Sequence, residues 1–305
     1  MKLARVIGLT LYTGVCVLAQ GMPADYAAVL KSLGKEGDFK DNVLKINIPR
    51  NDVKVIIDGV ATPTAFGFGG WLAMTKGDAG NDVMMGDLVL LEDEVNPVMS
   101  ALLDNGLEVT ALHNHFLFES PRMFYMHVHG HGKATDLARM AKPAVDLIGK
   151  SSLRHQSSVS GGTSTVAAGQ IDSAAIAKIV GHQGEQNGQV YKITIGRPDI
   201  NLKDMGATIN ARMGLNTWAA FFGSPSNAEI AGDVAMLPQE VTPVLKALRA
   251  SGLNVGAIHN HMAGGSPTVY FLHYWGTGPS DKLATGFKSA LAELGSSGGT
   301  GHNRH

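Results

Sequence analysis

One feature constrains this chain more than any other: it contains the same sequence twice. Gly106-Leu107-Glu108-Val109-Thr110-Ala111-Leu112-His113-Asn114-His115 lies on Gly252-Leu253-Asn254-Val255-Gly256-Ala257-Ile258-His259-Asn260-His261 at an offset of 146 residues. The same offset carries Gly86-Asp87 onto Gly232-Asp233, Ser120-Pro121 onto Ser266-Pro267 and His127 onto His273. Upstream the offset becomes 147, placing Lys45, Arg50, Asp52 and Trp71 on Lys192, Arg197, Asp199 and Trp218. A duplicated sequence is expected to fold as two copies of one supersecondary unit. Each unit of roughly 115–120 residues is a comfortable domain size. The expected organisation is a signal peptide over 1–21, a first repeat over 22–150, a linker over 151–170, a second repeat over 171–295 and a loose tail over 296–305. Ser, Gly, Thr and Ala dominate the linker, as befits a flexible connector.

Within each copy the periodicity changes along the chain. Ala24 to Leu33 has apolar residues at helical spacing and ends at Gly34, a good C-cap. Val43 to Ile48, Val53 to Ile57, Gly67 to Met74 and Gly86 to Leu91 read as strands. Glu94 to Asn105 reads as a helix with Pro97 in its first turn. Leu107 to His115 and Arg122 to His131 read as two strands of a hairpin, followed by a helix over Thr135 to Ile148. The fold class expected is α+β, a tandem duplication with pseudo-twofold symmetry.

The chemistry concentrates in histidine. The chain has 12 of them, and the matching cassettes hold His113, His115, His127, His129 and His131 in copy one and His259, His261 and His273 in copy two. Strand side chains alternate between faces, so His113 shares a face with His115, and His127 with His129 and His131. Phe124, Met126 and Val128 form the opposite, core face of the second strand. Across an antiparallel hairpin, Cβ atoms about 4.5–5.5 Å apart let several imidazoles meet one ion. Cys16 is the only cysteine, so thiolate metal sites are excluded and the expected cofactor is a divalent transition metal, zinc, on imidazole. His113, His115 and His127 are the expected ligands, with Glu119 or His129 as proton acceptor if the protein is an enzyme, a metal-dependent hydrolase. Copy two replaces His129, His131 and Glu119 by Trp275, Thr277 and Gly265, so His259, His261 and His273 form at most a second, weaker site. Arg50 with Asp52, and Arg197 with Asp199, follow matched strands and are candidate ligand-binding pairs.

Charge and leader bound the partners. With 25 Lys+Arg against 26 Asp+Glu, the chain has no electrostatic footprint for nucleic acid. The stretch from Met1 to Ala19 has a basic start at Lys2 and Arg5, an apolar middle and small residues at its end, the pattern of a secretory signal peptide. Val15 before Cys16 fits a lipobox poorly, so soluble export, periplasmic or extracellular, is expected over a lipid anchor, with no membrane-spanning segment in the mature chain.

The stretches Gly86-Asp87-Leu88-Val89-Leu90, Glu94-Val95-Asn96-Pro97-Val98-Met99, Thr110-Ala111-Leu112-His113-Asn114-His115, Glu119-Ser120-Pro121 and Met126-His127 together resemble the bacterial LppY/LpqO family, a domain of unknown function. The resemblance covers essentially the whole mature chain and implies an exported or cell-envelope protein. Combined with the histidines, the expected function is an exported metal-binding protein, a metal-dependent hydrolase in its most concrete form. The alternative is a non-catalytic envelope protein that binds an unknown small-molecule or envelope ligand, a partner or a metal in the cleft between copies.

Overall fold

The computed structural model describes residues 21–150 and 169–295. The expected leader, linker and tail fall almost wholly outside these residues. Copy one runs α1 (Ala24–Leu33), β1 (Gly37–Lys40), β2 (Val43–Pro49), β3 (Val55–Ile57), β4 (Val60–Thr62), β5 (Gly69–Lys76), β6 (Asp82–Leu91), α2 (Glu92–Asp104), β7 (Glu108–His113), β8 (Glu119–Ser120), β9 (Met123–Gly132) and α3 (Ala134–Leu147). Copy two runs α4 (Ser173–Val180), β10 (Glu185–Asn187), β11 (Val190–Gly196), β12 (Lys203–Asp204), β13 (Ala207–Thr208), β14 (Asn216–Gly223), β15 (Ala228–Met236), α5 (Val241–Ala250), β16 (Asn254–His259), β17 (Tyr270–Gly278) and α6 (Ser280–Leu291).

The helices form where the local signals agree. In α1, Tyr26, Val29 and Leu33 are buried at helical spacing, and Gly34 closes the last turn at φ 62°, accepting no penalty for a left-handed conformation. Asp172 caps α4 by accepting from the Ala175 amide at 2.9 Å. In α2 the Glu94 carboxylate reaches back to the Leu91 amide at 2.8 Å. That contact starts the helix at Glu92, two residues before the expected start, so Pro97 lies inside it rather than in its first turn.

Each copy folds its main strands into one six-stranded antiparallel sheet, in the order β1-β2-β5-β6-β9-β7 and, equivalently, β10-β11-β14-β15-β17-β16. The expected hairpin of β7 and β9 exists, paired from Glu108 opposite His129 to His113 opposite Tyr125. The three helices of each copy cover one face of its sheet. The other two faces pack against each other, and two apolar clusters there mix residues of both copies. Four layers result, helices outside and two sheets between. Central strand β6 shows the consequence: Met84, Leu88 and Leu90 face the helices, while Val83, Met85, Val89 and Leu91 face the other sheet, so burial does not alternate. The fold is thus α+β, a tandem duplication whose copies meet sheet to sheet.

Candidate metal centre

The histidines lie in the layer between the two sheets. His113 ends β7, and the Asn114 amide donates to the Met123 carbonyl at 2.6 Å, turning the chain back on itself. That turn lays the His115 ring on Tyr125, with centroids 3.2 Å apart. Copy two repeats the device: Asn260 donates to the Val269 carbonyl at 2.9 Å, and His261 stacks on Phe271 at 3.4 Å. The middle residue of each His-x-His therefore anchors the loop that presents its neighbours. A β-bulge at Thr110 and Gly256 brings each edge strand against the opposite copy's loop. The Thr110 hydroxyl donates to the His261 carbonyl at 2.8 Å, whereas a Cβ on Gly256 would strike the His115 carbonyl oxygen.

The two copies interleave their rings. His113 and His259 stack across the pseudo-twofold axis with centroids 3.8 Å apart. His115 of copy one meets His273 of copy two at 3.5 Å, and His261 of copy two meets His127 of copy one at 4.1 Å. His113, His115 and His273 bring one ring nitrogen each within 4.8 Å of one another, and so do His113, His127 and His259. His127 Nδ1 sits 3.1 Å from the Gly86 carbonyl oxygen, which can only accept. Nδ1 therefore carries the proton and Nε2 presents its lone pair to the centre, the tautomer a ligand needs. Burial pushes all six imidazoles toward the neutral form, His259 to about 4 and the others well below the ordinary imidazole value, with the neighbouring histidines adding to the effect for five of them.

A second duplicated set flanks the rings. Asp87 directly opposes His127 across β6 and β9, and Asp233 opposes His273 across β15 and β17. Burial pushes the Asp87 carboxyl up to about 7, Lys45 down to about 7 and Lys192 down to about 8. Each ammonium lies over a tryptophan, Lys45 at 3.7 Å from the Trp71 centroid and Lys192 at 4.0 Å from that of Trp218. The repeat alignment contains all four charged residues, and their duplication was the signal that could have singled them out. Beside the Asn260 loop lies a cavity of about 250 Å³ lined by Thr110, Asn260, Met262 and Phe271 among others.

The remaining expected site residues lie elsewhere. His129 shares the face of His127, yet its Nε2 sits 2.6 Å from Asp204 of copy two and its Nδ1 3.2 Å from Glu108. Those carboxylates, Asp204 first, raise its pKa and favour an imidazolium, which has no lone pair for a metal or a proton. His131 pairs with Asp78 at 3.1 Å. The Glu119 carboxylate accepts from the Met123 amide at 2.9 Å, and burial pushes it up to about 7. Neither Glu119 nor His129 joins the ring cluster. Arg50, 1% exposed, spends all five donors within the chain: on Asp52 at 2.9 and 2.9 Å, on Glu94 at 2.6 and 3.1 Å, and on the Val89 carbonyl at 2.8 Å. Arg197 does the same with Asp199, Glu240 and the Ala235 carbonyl. These pairs fasten a strand exit to the following helix and leave no donor for a ligand, which corrects that expectation.

The His129 contact gives a pH prediction. Its folded pKa is raised, so its contribution is complete below the unfolded value of about 6.5 and disappears as pH rises through the folded one. His129→Gln is expected to cost about 1–2 kcal/mol at pH 6 and much less at pH 9, by urea denaturation. An equal cost at both pH values would show that the contact does not depend on an imidazolium.

Fold and site together define a duplicated α+β protein whose copies share one histidine cluster. Family comparison places it: the model described as Domain of Unknown Function (DUF1259) matches residues 27–147 and 174–293, and the chain belongs to this family. No curated protein matches it. Among solved structures it is similar to the trimeric bacterial microcompartment shell protein PduB, at 11% identity and TM-score 0.20 over 84% of this chain and 90% of that one. It is also similar to EtuB from Clostridium kluyveri, at 9% identity and TM-score 0.20 over 85% and 91%. A third is the double-ringed trimeric shell protein MSM0271 from the RMM microcompartment, at 14% identity and TM-score 0.17 over 73% and 87%.

These findings correct several expectations drawn from the sequence. The family is DUF1259, in place of the LppY/LpqO assignment. The readings as an exported metal-dependent hydrolase or as an envelope ligand- or partner-binding protein are withdrawn, and export with them. The solved structures named above include microcompartment shell proteins. Similarity at these TM-scores assigns no role or location in return. Among the described residues no helix is long and apolar enough to cross a membrane.

Proposed function

We propose that the chain holds a divalent transition metal, with zinc the reference ion, at a centre built jointly by its two copies from imidazole alone. One observation carries this reading. Nine ring nitrogens of His113, His115, His127, His259, His261 and His273 are buried without a hydrogen-bond partner. A buried polar atom left unsatisfied costs about 1–3 kcal/mol, and interiors rarely tolerate so many in one place. A bound ion converts such nitrogens into ligands. Neutral imidazole suits zinc, copper, nickel and iron, and the ordering of the hydrogen-bonded His127 Nδ1 leaves Nε2 free for coordination. A small uncharged molecule is the partner that the cavity beside the Asn260 loop would admit.

His113 and His259 face each other at the axis, so the proposal predicts symmetric losses. The test loads the full chain with zinc after chelation and measures retained metal by elemental analysis. His113→Ala and His259→Ala are each expected to weaken binding by more than the roughly 10–100-fold that loss of an outer-shell partner costs. Retention of zinc at wild-type level in either variant, or no retention by wild type, overturns the shared centre.

A further inference from the structure

Six imidazoles exceed the three or four protein ligands that one zinc ion takes. The pseudo-twofold axis relates them as two threesomes, of which only the first already brings its ring nitrogens within 4.8 Å of one another. One consists of His113 and His115 of copy one with His273 of copy two, whose centroids are 5.3, 5.0 and 3.5 Å apart. Its mate consists of His259 and His261 of copy two with His127 of copy one, at 5.3, 4.9 and 4.1 Å. We propose that the centre is dinuclear: two first-row transition-metal ions, one per threesome, each held by the His-x-His pair of one copy and the strand histidine of the other. This inference rests on the metal reading above and adds the number of ions and the exchange of ligands between copies.

Three observations support it beyond the symmetry. In the first threesome one nitrogen from each ring already lies within 4.8 Å of the other two. Nitrogens bound at about 2.0–2.1 Å to a tetrahedral ion stand roughly 3.4 Å apart, so ring rotations that shift the nitrogens by about an ångström complete the site. Each threesome supplies three protein ligands, leaving an open position on each ion. Each also has its own carboxylate, Asp87 opposite His127 and Asp233 opposite His273, to offset the added charge. Asp87 Oδ1 is buried without a partner. The competing arrangement is a single ion on the axis held by His113, His127 and His259, which also approach within 4.8 Å.

The full-length chain is stripped with a chelator and reloaded with zinc alone, and zinc per chain is counted by elemental analysis. Two per chain is expected. One per chain overturns the dinuclear proposal and leaves the shared centre standing, whereas none overturns both. Position is tested with His273→Gln and His127→Gln, each expected to fall from two ions to one while the far-ultraviolet circular dichroism stays that of wild type. Retention of two ions by either variant overturns the assignment of ligands. X-ray absorption at the zinc edge of wild type needs no variant to fold: an all-imidazole shell on three protein ligands is expected, and a shell with protein carboxylate or sulfur overturns the proposal.

Discussion

Arg50→Met is expected to cost about 3–5 kcal/mol of folding stability, because it leaves the Glu94 carboxylate buried and charged without its cation. The side chains are 1% and 2% exposed, and Nη1 and Oε2 lie 2.6 Å apart. Glu94 also accepts from the amides of Leu91 at 2.8 Å and Gly149 at 2.7 Å, so one carboxylate joins the end of β6, the start of α2 and the segment after α3. Adding Glu94→Gln to Arg50→Met removes the charge and keeps an acceptor for one of those amides, which donate to different oxygens of the carboxylate. The double variant is expected to recover part of the loss. Arg197→Met is expected to cost as much, since Glu240 likewise binds the amides of Leu237 and Gly295 at 2.7 and 2.7 Å. Urea denaturation followed by circular dichroism measures all three. A single-variant loss below about 1 kcal/mol would mean that the guanidinium is not desolvated as described.

Phe66→Ala is expected to be equally severe, about 3–5 kcal/mol, through the cavity it leaves. Phe66 is 1% exposed in the layer between the sheets. It stacks with Phe116 of its own copy at 6.1 Å and meets Phe222 of the other copy edge-on at 6.3 Å. Phe116 follows His115 directly, so slack at this position also loosens the ring cluster. The same variant is therefore expected to retain less zinc after chelator challenge. Wild-type stability together with wild-type zinc retention would show that the sheets do not pack as described.

Much of the fold was legible because its signals are local. Apolar spacing and Gly34 delimit α1 at Ala24–Leu33, and alternation around Met126 and Val128 assigns the core face of β9. Alternation also pointed the imidazoles of His113 and His127 away from that core. Short strands without a pattern of their own, such as β1 and β4, were not legible: they are set by pairing with β2 and β3. The site was legible in its residue types and only partly in its membership. Periodicity groups His127, His129 and His131 on one face, yet it does not say that Asp204, 75 positions away, stands against His129. Nor does hairpin geometry reveal that the imidazoles of one copy meet those of the other, because nothing local encodes which faces of two sheets meet. Arg50 illustrates the same limit. Its neighbour Asp52 was visible in sequence, while Glu94, 44 positions on, came into view only with the fold.

The bulge residues Thr110 and Gly256 have an evolutionary consequence. In a dimer of identical single-copy chains every substitution occurs twice, so both bulges would carry the same residue. Here one position uses a hydroxyl to hold the His261 carbonyl, and the other has no room for even a methyl group against the His115 carbonyl. Fusion of the copies in one chain releases that constraint, and a mutation can adjust one side of the axis without being imposed on its mate. The Thr110 and Gly256 pair is a division of labour that a dimer of identical chains cannot make.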